Sequence, residues 1–155
     1  MTRFKLVAMG GTFDIVHKGH MKLLRGAFLI SSKVIIGLTS DEFVKRKGKS
    51  PENNYATRYR KLEDAIKKNF PNAQYEIAKL ENDFGPAVLE KEVEALVVSN
   101  ETLPQGEILN KLRAAKNSPP VEIIVIPLAL AQDGTRISTT RIKNSEIDSD
   151  GNILN

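Results

Sequence analysis

Short apolar runs with strand character recur five times along this chain, and each interval between them carries helical spacing. That alternation constrains the fold more than any other feature, because successive strands joined through helices close most readily as right-handed parallel crossovers. The runs are Phe4 to Met9, Lys33 to Thr39, Gln74 to Leu80, Ala95 to Ser99 and Val121 to Ile126. From Lys18, the spacing of Met21, Leu24, Ala27, Phe28 and Ile30 predicts a first helix. Ser40 or Asp41 caps a short one through Phe43 and Val44, and Tyr55 to Phe70 forms a longer one, with Pro71 just beyond its end. Pro86 opens a helical pattern through Val88, Leu89 and Val93, and Thr102 to Lys116 carries another through Ile108, Leu109 and Leu112.

The expected architecture is α/β: a Rossmann-like, doubly wound, five-stranded parallel sheet with helices on both faces. The first run reads as a central strand buried on both sides, and the ligand site is expected outside the carboxyl ends of the strands. A length of 155 residues suits one domain, 1–147, followed by a polar tail, 148–155. No apolar run approaches the roughly 20 residues of a membrane-spanning helix, and the N-terminus lacks a secretory apolar region, so a cytoplasmic protein without membrane contact is expected.

Cysteine is absent, which excludes disulfides, thiolate catalysis, iron–sulfur clusters and thiolate zinc sites. Lys and Arg (23) exceed Asp and Glu (19), giving a net charge of +4, which suits an anionic small molecule as well as nucleic acid. With no Trp and three Tyr the chain has few stacking platforms for bases, and no nucleic-acid motif, so nucleic acid is not the expected partner.

The densest chemistry lies where the first strand gives way to the first helix: Gly10-Gly11-Thr12-Phe13-Asp14-Ile15-Val16-His17-Lys18-Gly19-His20. Two glycines let backbone approach a ligand closely, and the N–H groups at the helix start suit phosphate oxygens. His17 and His20 are the chain's two histidines, and their spacing at a helix start presents both imidazoles to one side. A metal site would need a third ligand, which neither another His nor a Cys supplies. Gly48-Lys49-Ser50 imitates the end of a P-loop, but Phe43 stands where that motif needs glycine, and no GxGxxG follows the first strand.

Gly11 to His20 resembles the signature of the HxGH nucleotidyltransferase superfamily, and Gly134-Thr135-Arg136-Ile137-Ser138-Thr139-Thr140-Arg141-Ile142 resembles its ISTTxI element. Thr39 to Lys47, with Tyr55 and Arg58 to Leu62, is similar to a segment of the archaeal and eukaryotic type of phosphopantetheine adenylyltransferases and, more loosely, of cytidylyltransferases. The Ser99-Asn100-Glu101-Thr102 turn with Gly106, Asn110 and Arg113 looks like that adenylyltransferase's own pattern.

The resemblance implies transfer of AMP from ATP to 4′-phosphopantetheine, yielding 3′-dephospho-coenzyme A and pyrophosphate, assisted by Mg²⁺; an ion carried in on ATP and keeping several waters would need few protein ligands. It implies His20 as transition-state stabiliser and His17 on the nucleotide phosphates. Gly11, Thr12 and Phe13 would lie where ATP meets acceptor, and Arg136, Ile137, Ser138, Thr139 and Thr140 would hold the leaving phosphates. For the acceptor phosphate the choice among Lys45, Lys47 and Lys49 falls on Lys45, with Glu101 and Arg113 as further substrate-binding candidates. A monomer is the expected state. The alternative is another member of the superfamily, an FMN adenylyltransferase or a glycerol-3-phosphate-type cytidylyltransferase.

Overall fold

The computed structural model describes residues 3–82, 84–85, 91–99, 102–127, 142 and 151. Among them, five strands form one parallel sheet in the order β3-β2-β1-β4-β5. They are β1 (Phe4–Gly11), β2 (Ser31–Thr39), β3 (Tyr75–Leu80), β4 (Ala95–Val98) and β5 (Glu122–Val125). The helices are α1 (Lys18–Ile30), α2 (Asp41–Arg46), α3 (Tyr55–Asn69) and α4 (Leu103–Ala115). The chain winds from β1 outward to β3, then returns to the other side of β1 with β4. That reversal opens a crevice at the carboxyl ends of β1 and β4, the switch point at which doubly wound sheets bind ligands.

Alternate side chains feed two separate cores, which makes the sheet buried on both faces. Val7, Met9, Val34, Ile36, Leu38, Ala95 and Val97 pack with Leu24 and Ala27 of α1 and with Leu62 and Ile66 of α3. On the opposite face Ala8, Ile35 and Leu96 pack with Leu109 of α4. Leu62 and Ile66 are fully buried, each contributing about 1.5–3 kcal/mol.

The boundaries differ from expectation where pairing or capping overrides local character. β1 runs on through Gly10 and Gly11, because these pair with Gly37 and Leu38 instead of breaking the ladder. β2 starts at Ser31: its hydroxyl donates to Ala27 O (2.6 Å) and its extended backbone turns α1 directly into the strand. β4 stops at Val98, since Ser99 N–H donates to Thr102 Oγ1 (3.0 Å). Val121 N–H likewise leaves the ladder for Asn110 Oδ1 (2.7 Å). Of the helix expected from Pro86, residues 86–90 lie outside those described, and Val93 is buried in irregular chain just before β4. The tail also lies outside the described residues apart from Gly151.

The caps explain where the helices begin. Ser40 is the cap of α2, its Oγ accepting from Phe43 N (3.0 Å), and Asp41 and Glu42 stand in the first turn against the helix dipole. Asn54 caps α3 through Thr57 N (2.9 Å), while Lys67 and Lys68 sit at its C-terminal end. No helix among the described residues is long and apolar enough to cross a membrane.

Candidate active site

Histidine caps α1. His17 Nδ1 accepts the Gly19 N–H at 3.0 Å, and the His17 N–H donates to His20 Nδ1 at 3.2 Å, a reciprocal capping box made of two imidazoles. Their rings stack with centroids 3.8 Å apart. A backbone N–H has only a proton to give, so each Nδ1 accepts and carries none. Both rings are therefore held as the neutral Nε2–H tautomer. Burial, and then the neighbouring His17, push His20 from its ordinary 6.5 down to about 3, against a hydrogen bond with the Ile15 backbone that pulls it up.

Phe13 packs on this pair, its ring 4.8 Å from that of His20. It is 2% exposed and has φ of 50°, a left-handed conformation uncommon for a bulky residue. A Cβ on Gly11 would meet the Phe13 ring at 3.0 Å, so glycine at 11 is what allows that ring to fold back.

Two buried charges hold the loop in place. Asp14 accepts from Glu52 N (2.9 Å), Asn53 N (3.0 Å) and Asn53 Nδ2 (3.1 Å), tying the β1–α1 loop to the chain entering α3. Arg58 is fully buried, and its guanidinium donates to Thr12 O (3.1 Å), Thr39 O (2.8 Å) and Asn53 O (3.0 Å) and pairs with Asp41 (2.8 Å). Its planar fork satisfies carbonyls at the ends of both central strands, which point out of the ladder with no further strand residue to bind them. The Tyr55 backbone and the Arg58 guanidinium hold the Asp41 carboxyl below the usual carboxylate range.

A cavity of about 210 Å³ opens at the switch point beside this loop. Gly10, Gly11 and Thr12 form one wall, Val97, Val98, Thr102 and Gln105 another, with Ile35, Leu80, Phe84 and Leu96 as an apolar floor. Lys47 and Lys49 line it, and Lys47 also lies 4.7 Å from the centre of the Phe43 ring.

The structure thus gathers Gly11, Thr12, Phe13, His17 and His20 at one strand edge. Two of the expected residues stand apart from the cavity. Lys45 is exposed on the last turn of α2 and does not line the cavity, whereas Lys47 and Lys49, in the loop after it, do. Arg113 is fully buried at the amino edge of the sheet, remote from the site, donating to Pro119 O (2.8 Å) and Val93 O (3.2 Å). It fastens the last turn of α4 to the chain entering β4 and β5. Glu101, Arg136, Ile137, Ser138, Thr139 and Thr140 lie outside the described residues. Asp14 and Arg58 were not among the expected site residues. Arg58 stands on the buried stripe of α3 with Leu62 and Ile66, and a charge at such a position signals a committed partner.

A doubly wound sheet with histidine-capped phosphate-type helix start at its switch point defines a Rossmann-like nucleotide-handling domain. The description cytidylyltransferase-like belongs to the family model that matches residues 8–145. A phosphopantetheine adenylyltransferase of Methanothermobacter thermautotrophicus is 40% identical over 152 residues, covering 98% of this chain and 91% of its own. Another, of Methanosarcina acetivorans, is 43% identical over 147 residues, covering 94% and 93%. A solved structure of a protein of unknown function from Archaeoglobus fulgidus superposes with a TM-score of 0.70 at 29% identity, covering 79% of this chain and 89% of its own. The chain belongs to the cytidylyltransferase-like family and, within it, to the phosphopantetheine adenylyltransferases.

Proposed function

We propose that this chain transfers AMP from ATP to 4′-phosphopantetheine, giving 3′-dephospho-coenzyme A and pyrophosphate, by direct in-line attack without a covalent intermediate. The observation that carries the reading within the family is the cavity at the switch point, with Gly10, Gly11 and Thr12 at one side, lysines lining it and an apolar floor. An acceptor phosphate would sit near Thr12, Lys47 and Lys49, and the pantetheine arm would run over Ile35, Leu80 and Leu96. The acceptor oxygen attacks the α-phosphorus of ATP as the bond to the bridging oxygen of pyrophosphate breaks, so charge grows on equatorial oxygens and on the departing group.

In this proposal the chain contributes positioning and fixed donors, the terms that dominate phosphoryl-type transfer. The capping box occupies Nδ1 of both rings and fixes them at the helix start before charge develops, and His20 exchanges its Ile15 backbone partner for a phosphate oxygen. His20 stabilises the transition state and His17 the nucleotide phosphates, with residues 136–140 on the leaving phosphates. Among the described residues no three His, Asp or Glu side chains converge on a metal position, and the Asp14 carboxylate is committed to backbone N–H groups. We assign Mg²⁺ to the phosphates of ATP, where it would neutralise the charge that develops.

The test is pyrophosphate release in a matrix of ATP or CTP against 4′-phosphopantetheine, FMN and glycerol-3-phosphate, with product masses. Turnover confined to ATP and 4′-phosphopantetheine is expected. Turnover with CTP or another acceptor would assign the chain to a different chemistry within its family.

A further inference from the structure

Thr12 directly follows β1, Thr39 ends the neighbouring β2, and both line the cavity. Their hydroxyls meet at 3.1 Å, with Thr39 Oγ1 as the donor. Arg58 decides that direction. Its Nη1 lies 2.8 Å from Thr39 O and 3.4 Å from Thr39 Oγ1, and a guanidinium can only donate. The positive charge repels the hydroxyl hydrogen of Thr39 and turns it toward Thr12. Thr12 Oγ1 already accepts that hydrogen, so its own hydrogen is turned away from Thr39.

We propose that Arg58 and Thr39 are positioning residues that orient the Thr12 hydroxyl as a hydrogen-bond donor into the cavity, toward the phosphate of the acceptor. Neither needs to touch substrate. Arg58 works from a fully buried position, its fork fixed by the carbonyls of Thr12, Thr39 and Asn53 and by the Asp41 carboxylate. A hydroxyl that can either donate or accept spends part of its time presenting a lone pair to an anion. One held as a donor does not, which favours phosphate and excludes a ligand offering a donor at the same place.

The inference rests on the proposed acceptor and deepens it, and its test separates the two. Calorimetry measures 4′-phosphopantetheine binding, and steady-state assays measure the KM of each substrate, for the intact protein and for Thr12→Val, Thr39→Val, Thr39→Ser and the double valine variant. Thr39→Val leaves the guanidinium bonds to backbone carbonyls intact. It is expected to weaken 4′-phosphopantetheine binding about threefold while the KM for ATP stays unchanged, because the Thr12 hydroxyl remains but is no longer held as a donor. Thr12→Val removes the hydrogen bond itself and should lose about tenfold, the double variant no more than Thr12→Val alone, and Thr39→Ser should recover most of the affinity. Losses that multiply in the double variant, failure of the serine to rescue, or unchanged binding by Thr39→Val would overturn the relay while leaving the proposed acceptor in place. No binding or turnover of 4′-phosphopantetheine by the intact protein would sink both.

Discussion

The His17 backbone N–H donates to His20 Nδ1 at 3.2 Å, so the histidine that caps the helix also fixes the ring of the other, while the Gly19 N–H fixes its own. Capping occupies the Nδ1 atom of each ring, and the proposed chemistry falls to the opposite edge. In the proposed reaction His20→Ala lowers kcat about 10²-fold or more and leaves ATP affinity within several-fold, because its contact strengthens mainly in the transition state. The same change also removes half of the capping box, at about 1 kcal/mol. Pre-steady-state turnover and nucleotide titration separate the two effects, and equal losses in binding and rate would contradict the catalytic assignment.

The depressed titration of His20 has a signed consequence. In the unfolded chain it takes up a proton near 6.5, whereas in the folded protein it does so only near 3. As pH falls from about 6.5 toward 3 the unfolded state binds the extra proton, and stability is lost across that window with no contribution above it. The Asp41 carboxyl, also held low, adds a loss only once pH falls below its ordinary 3.8. Urea midpoints at pH 7 and pH 5 are expected to differ more for the intact protein than for His20→Gln. Equal differences would mean that His20 is solvated as in the unfolded chain. Correspondingly, the turnover profile should show no titration of His20 between pH 5 and 8.

Lys47→Ala and Lys49→Ala are each expected to raise the KM for the acceptor about tenfold, whereas Lys45→Ala leaves it within twofold, because only the first two line the cavity. A dominant effect at Lys45 would place the acceptor phosphate on the outer side of α2.

Arg58→Met removes the donor from three backbone carbonyls and from Asp41, and should destabilise the fold by about 3 kcal/mol. Chemical denaturation measures the loss. Loosening of the β1–α1 loop should appear beside it as faster amide exchange at Thr12 to Asp14.

Arg113→Met is expected to cost similar stability with the KM of both substrates unchanged in the folded fraction. Its partners lie at the opposite edge of the sheet. A raised acceptor KM at full folding would return Arg113 to the site.

Arg58 and Arg113 show why only part of the site was legible. Each sits on the buried stripe of an amphipathic helix, Arg58 with Leu62 and Ile66, Arg113 with Gly106 and Leu109, and that placement is readable from spacing. Their positions within the helices even point to their edges. In a parallel α/β sheet each helix starts at the carboxyl edge and ends at the amino edge, so Arg58 in a first turn faces the site and Arg113 in a last turn faces away. Ser99 and Thr102 form the expected turn at the entry to α4, and Thr102 lines the cavity.

The alternation of apolar periods determined the parallel sheet, and the chain order of those periods placed the glycine and histidine loop at its carboxyl edge. Local physics sufficed there, because strand, turn and cap are all settled within a dozen residues. Tertiary structure alone decided which lysine reaches the cavity, which carbonyls Arg58 satisfies and which way the hydroxyls of Thr12 and Thr39 point. Those depend on groups 19 to 46 residues apart meeting at the ends of adjacent strands, and hydrogen-bond direction is set only when the charged donor and both acceptors share one buried space.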